Sequence, residues 1–137
     1  MKTFKYLTVF ASICFFTSCT YEDLDDQSKV LEIIQQESEL YSFLERSTNN
    51  DNLNGRPIIT CIDFLYPLFL YTTDVNDDIV TSQNLSTDEE FAVFLSSIAT
   101  GNNISISYPI EATVGGITTV SINNNDELLL SIEQCIE

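Results

Sequence analysis

The 137-residue chain contains no histidine. That absence removes the side chain most used as a general base near neutral pH, and with it the commonest metal ligand. Serines and threonines are plentiful, but none has an imidazole to activate it. Bases are scarce too: five Lys and Arg stand against 21 Asp and Glu, a formal net charge of −16. Such a chain repels nucleic acid and anionic headgroups, which argues against either as a partner. The four cysteines form no Cys-x-x-Cys pair, and a zinc site has too few ligands. These absences speak against an enzyme.

What is present begins with an apolar run. Lys2 and Lys5 precede "YLTVFASICFF", and two small residues, Thr17 and Ser18, lead to Cys19. A charged start, a short apolar middle and small residues before a cut make a secretory signal peptide over residues 1–18. The run is too short to span a bilayer core of about 30 Å as a helix. Thr17-Ser18-Cys19 resembles the lipobox of bacterial lipoproteins, with Phe16 where that family usually has Leu. The resemblance implies a diacylglycerol on the Cys19 thiol, cleavage before it and acylation of the new amine. Several acyl chains make a lasting anchor, each buried methylene contributing about 0.8 kcal/mol. Removing residues 1–18 leaves Lys29, Arg46 and Arg56 against all 21 acids, a net charge of −18. Membrane contact is therefore expected through the lipid alone.

Residues 19–28 read as an acidic tether. Glu22 and Asp23, followed by Asp25 and Asp26, resemble the short export signals that follow the cysteine in surface lipoproteins of Bacteroidota. That resemblance implies display on the outer face of the outer membrane. Two alternatives stay open: a periplasm-facing anchor, and acids that merely keep the tether extended by repulsion.

Residues 29–47 show Val30, Ile33, Ile34, Leu40, Tyr41 and Leu44 at helical spacing, which predicts an amphipathic helix. Asn, Asp, Gly and Pro at 48–57 predict a linker into a domain over 58–137. That domain repeats itself. Tyr66-Pro67-Leu68 matches Tyr108-Pro109-Ile110, and Thr87-x-x-Glu90 matches Asn124-x-x-Glu127, both capping boxes. Phe91, Leu95 and Ile98 match Leu128, Ile132 and Cys135. Residues 104–114 alternate with the period of a half-buried strand, and Gly115-Gly116 suits a two-residue hairpin. The expected fold is α+β: two ββα repeats in a four-stranded antiparallel sheet, with the helices on one face. Pro67 and Pro109 lack a ladder donor, which places their strands at edges or bulges and favours the order first, second, fourth, third. Leu65, Phe69 and Tyr71 make the other face of the first strand apolar, to be covered by the helix at 29–46 or by a partner.

Cys61 followed by "FLYP", then "DELLLSIEQC" and a Cys-x-Glu end, resembles short Bacteroidota lipoproteins of unassigned function over about residues 58–137. The likeness implies a cell-envelope lipoprotein and brings no catalytic residue. Outside the reducing cytoplasm, Cys61 and Cys135 are the two thiols left after processing and lipidation, and they predict a disulfide. Strand parity sets Cys61 opposite the inward residues, so the bond needs a bulge or a frayed strand end.

Two acidic clusters invite chemistry. Asp88, Glu89 and Glu90, like Asp126 and Glu127, fall in first helical turns, where the helix dipole stabilises them and explains them sufficiently. Asp74, Asn76 and Asp78 repeat the odd-position ligands of a calcium loop, but Ile79 holds the place of the required glycine and no acid stands at the twelfth position. Acidic turn residues are usually just solvated, so no cofactor is expected besides the lipid, and these three remain a weak calcium candidate. Two functions remain. One is a non-catalytic interaction module that binds a protein or glycan through the apolar-aromatic face or an acidic rim. The other is a structural or accessory envelope lipoprotein without a ligand of its own.

Overall fold

The computed structural model describes residues 31–49 and 55–137. It is an α+β structure with three helices and two antiparallel sheets. The order is β1 (Ile33–Ile34), α1 (Glu39–Thr48), β2 (Ile62–Leu65), β3 (Leu68–Thr73), β4 (Ile79–Leu85), α2 (Asp88–Ser97), β5 (Asn103–Ile106), β6 (Ile110–Val114), β7 (Thr118–Ile122) and α3 (Asn125–Ile136).

The helix expected over 29–47 starts only at Glu39. Ile33 and Ile34 instead form β1, antiparallel to β5 with Ile34 opposite Ile104. Their branched side chains suit an extended backbone, and Ile34 is buried. A turn follows, closed by Ser38 N–H on Gln35 O at 2.9 Å. Ser38 then caps the helix by accepting from Tyr41 N–H at 3.2 Å. α1 buries Leu40, Tyr41, Phe43 and Leu44 and packs on α2 and α3. The Tyr41 hydroxyl donates to Leu95 O at 2.8 Å, which fastens α1 to α2.

The strands form two sheets where the sequence predicted one. Sheet A runs β1-β5-β3-β4 and sheet B runs β2-β6-β7. The expected order is corrected with it, for the proline-bearing segments are central: β3 pairs with β4 and β5, and β6 with β2 and β7. The reason lies at the prolines. The chain passes from sheet B to sheet A across the cis bond Tyr66-Pro67, and from A to B across the cis bond Tyr108-Pro109. Each proline falls between two strands, so its missing donor never occupies a ladder position. Each sheet consequently joins the strand before one proline to the hairpin after the other.

The inward set passes through both corners without a change of parity. Ile62, Phe64, Leu68, Leu70 and Thr72 are buried, as are Ile104, Ile106, Ile110 and Ala112. They meet Phe91, Leu95, Leu128 and Ile132 from the helices, with Phe64 and Phe91 ring centroids 5.7 Å apart. Each side chain of leucine size buried here contributes about 2 kcal/mol. The helix starts follow the predicted caps. Thr87 Oγ1 accepts from Glu90 N–H and Asn124 Oδ1 from Glu127 N–H, while Glu90 and Glu127 reach back to the amides of Ser86 and Asn123. Gly115 and Gly116 take φ of 63° and 71°. The register Val114↔Thr118 adds Ile117 to their turn, one residue more than the expected pair.

Cys61 and Cys135 are joined, with Cα atoms 5.6 Å apart. The parity conflict is resolved at a strand end: Cys61 lies one residue before β2, and its carbonyl accepts from Gly115 N–H at 2.7 Å.

Candidate interaction surface

Sheet A turns one face to the core and one outward. On the outer face, Tyr71 lies opposite Ser105 and Ser82, and Phe69 opposite Asn84. The Phe69 and Tyr71 rings touch edge to face, centroids 5.1 Å apart at 74°. Ile33 joins the same row across Ser105, which is itself fully buried there. Phe69 is 40% exposed, and Tyr71 is half-buried. The expected cover by residues 29–46 does not form, since α1 packs on the two other helices. The apolar set is also divided: Leu65, 40% exposed, belongs to sheet B opposite Glu111. Phe69 and Tyr71 are thus brought together, and Leu65 is set apart by the corner.

An acidic turn borders this face. Asp74 Oδ1 accepts from the amides of Asn76 and Asp78 at 2.8 and 3.0 Å, and Asp77 takes a φ of 64°. Those two backbone bonds hold the Asp74 carboxyl below its usual range. Asp74 therefore has a structural occupation in the turn. Among the described residues no group of three His, Cys, Asp or Glu is close enough to share a metal ion.

The first residues of α2 and α3 have partners as well. Asp88 accepts the Tyr66 hydroxyl, and Asn125 accepts the Tyr108 hydroxyl at 2.8 Å. Each tyrosine stands before a corner proline, and each acceptor is the first residue after a helix cap. Burial first, then the carboxylates near them, pushes both phenols far above their ordinary range. Both remain protonated donors at any physiological pH. These two contacts had a signal in the repeated Tyr-Pro pair, but the ring's destination depends on the corner, which the sequence conceals. Glu32 was missed too: its carboxylate accepts from Asn125 N–H at the start of α3.

Both described cations lie along α1 and are engaged. Arg46 donates to Pro57 O at 2.7 Å and lies 5.6 Å over Phe43, while Arg56 donates to Ser42 Oγ at 2.6 Å. They border a shallow cleft of about 430 Å³ with Glu37 and Glu39. Cys19, Glu22, Asp23, Asp25 and Asp26 lie outside the described residues. No described helix is long and apolar enough to cross a membrane. No protein-family model matches the chain, and no curated protein or solved structure shows significant similarity to it.

Proposed function

We propose that the protein is a lipoprotein of the outer membrane, displayed at the cell surface and acting as a non-catalytic interaction module. The binding part of this reading is carried by one observation: Phe69 stays 40% exposed on the outer face of sheet A, in contact with Tyr71. An exposed aromatic side chain beside a half-buried one suits contact with a protein or a glycan ring. The anchor rests on the sequence: a short apolar run, two small residues and Cys19, then Glu22, Asp23, Asp25 and Asp26. Thr20 follows the cysteine; the Asp that retains lipoproteins in the inner membrane of enterobacteria is absent there, so onward transport fits. Within the same proposal, residues 58–137 are a duplicated ββα unit whose copies have exchanged their first strands, and α1 is the remnant of the amphipathic helix. No cofactor belongs to it beyond the covalent lipid.

Protease shaving of intact cells tests the location. Wild-type protein should be cut on intact cells, and protection until lysis would refute display. With alanine at the four tether acids, loss of cutting assigns them the export role. Equal cutting keeps the location and removes them as its cause. A photocrosslinking residue at position 69 tests the face, with one at the exposed, helical position 93 as control. Adducts confined to position 69 support the module. Their absence in whole envelopes favours the structural or accessory reading.

A further inference from the structure

Among the described residues β4 is the longest strand, and it lies at the edge of sheet A beside β3. From Thr81 to Leu85 its register with β3 is unbroken. The bond from Ser107 N–H to Phe69 O at 2.8 Å fixes the phase of the ladder. By antiparallel alternation, the backbone groups of Phe69 and Tyr71 face β5, and those of Leu68, Leu70 and Thr72 face β4. Leu85, Gln83 and Thr81 stand opposite these three. The N–H and C=O groups of Ser82 and Asn84 are therefore directed away from the sheet. Both residues are exposed, as is every residue from Ile79 to Asn84, with Ile79 at 53% and Val80 at 54%. The groups that would meet another strand thus belong to residues that solvent reaches. None of the seven strand residues is charged or a proline, so the usual protections of an edge are missing.

We propose that the outer edge of β4 accepts an extended segment of another protein, uncharged in its middle and basic at both ends, as an added strand. Backbone groups supply the docking, and charge selects the occupant. Asp77 and Asp78 stand exposed just before the strand. Asp88, Glu89 and Glu90 stand exposed just after it, in the first turn of α2. A strand laid along Ile79–Leu85 therefore meets carboxylates at both ends and none between. Lys or Arg at its ends is attracted there, whereas Asp or Glu is repelled. Because both ends carry the same sign, this holds for either direction of the added strand. A second copy presenting its own β4 brings acids to both ends and is repelled in either direction. The chain's own stretch bearing Glu22, Asp23, Asp25 and Asp26 has the wrong sign as well. The rings of Phe69 and Tyr71 lie one strand further in, opposite Asn84 and Ser82. Docking on the backbone of β4 needs neither ring, so this site goes beyond the face proposed above.

The test uses the full-length chain in a non-ionic detergent. It is titrated with a blocked nonapeptide, lysine at each end and threonine alternating with valine between, and with the same peptide carrying glutamate at its ends. At saturation the lysine peptide should slow amide exchange at Ser82 and Asn84 by on the order of tenfold or more. Gln83, whose amide faces β3, should change little, and the glutamate peptide should protect none of them at the same concentration. Ser82→Pro removes an outward donor and no bond to β3, and should abolish the protection of Asn84. Should that variant not fold, Asp78→Asn with Glu89→Gln keeps the edge and should weaken the lysine peptide roughly fivefold, the scale of two exposed ion pairs. Phe69→Ser should leave binding unchanged; loss of binding with it would move the site to the ring face and overturn the proposal. No binding, or binding that leaves Ser82 and Asn84 untouched, would overturn it too. So would protection of those amides in the free chain: independent of concentration, it assigns the edge to the chain's own residues, and rising with concentration, to a second copy.

Discussion

Sheet A and sheet B are assembled from the same parts, yet they are finished differently. Each takes a strand that ends at a Tyr-Pro corner, a hairpin from beyond the other corner, and a capped helix that receives the corner tyrosine. Sheet A is completed without a covalent bond. β1 closes the free side of β5, and Gln36 Nε2 donates to Ile98 O at the end of α2. Sheet B has no such strand among the described residues, and the end of α3 is held to the start of β2 by Cys61–Cys135. Ile98 and Cys135 hold corresponding places after their capping boxes. Among the described residues, a strand does for one half what a disulfide does for the other. That difference teaches that equivalent ends of the two copies are fastened by different means.

The largest effect should come from opening the covalent side. Replacing Cys61 and Cys135 by serine removes a closure across 74 residues of sequence separation. The chain-entropy model gives a loss of about 4 kcal/mol, to be read as a lowered denaturant midpoint with little change in slope. A midpoint that does not move would mean that the helices alone hold sheet B in place.

Next is the non-covalent side. Ile34→Ala removes the buried branch of β1 and should cost about 3 kcal/mol. Exchange at the Ile104 amide should rise with it while β2 is unaffected. Smaller is the contrast between the corners. Tyr108→Phe strands the partner of a more deeply buried hydroxyl and should cost about 1.5 kcal/mol, and Tyr66→Phe, whose partner Asp88 is exposed and solvated, about half as much. Equal costs would mean that the two corners are set in surroundings of the same polarity.

The smallest effect concerns a cap. Bonds from Asn123, its backbone amide first, hold Glu127 below the ordinary value of 4.5. The folded carboxylate is thus favoured over the unfolded one. Its contribution is complete above the unfolded pKa and fades as pH falls through the lower, folded one. Glu127→Gln should flatten the loss of stability in that acid window, the variant being slightly less stable at neutral pH and meeting the wild type in acid.

What could be read in the sequence was local. The caps at Thr87 and Asn124, the positive φ at Gly115 and Gly116 and the outward parity of Leu65 and Phe69 depend on residues a few places apart. The Cys61–Cys135 bond was legible by another route, because reading residues 1–19 as a signal peptide and lipid site left two thiols to pair. The division into two sheets was not legible. The inward alternation continues through Tyr66-Pro67 and Tyr108-Pro109, so each pair of strands reads as one, and the choice of partner is made by the distant chain. β1 was hidden because two residues carry no period, and Ile33 and Ile34 also fit a helical stripe that extends to Leu44. The outer face of sheet A was half legible: its aromatic residues were found, but its division from Leu65 follows from the corner.

The central claim, that a paired strand closes one half of the molecule and a disulfide the other, is tested most directly by residue-resolved amide exchange of the full-length protein with Ile34 and with alanine in its place. The substitution should speed exchange at Ile104, opposite Ile34 in β5, by on the order of a hundredfold through opening of β1, and exchange at Ile62 of β2, beside the disulfide, by far less. Equal acceleration at both positions would contradict the account.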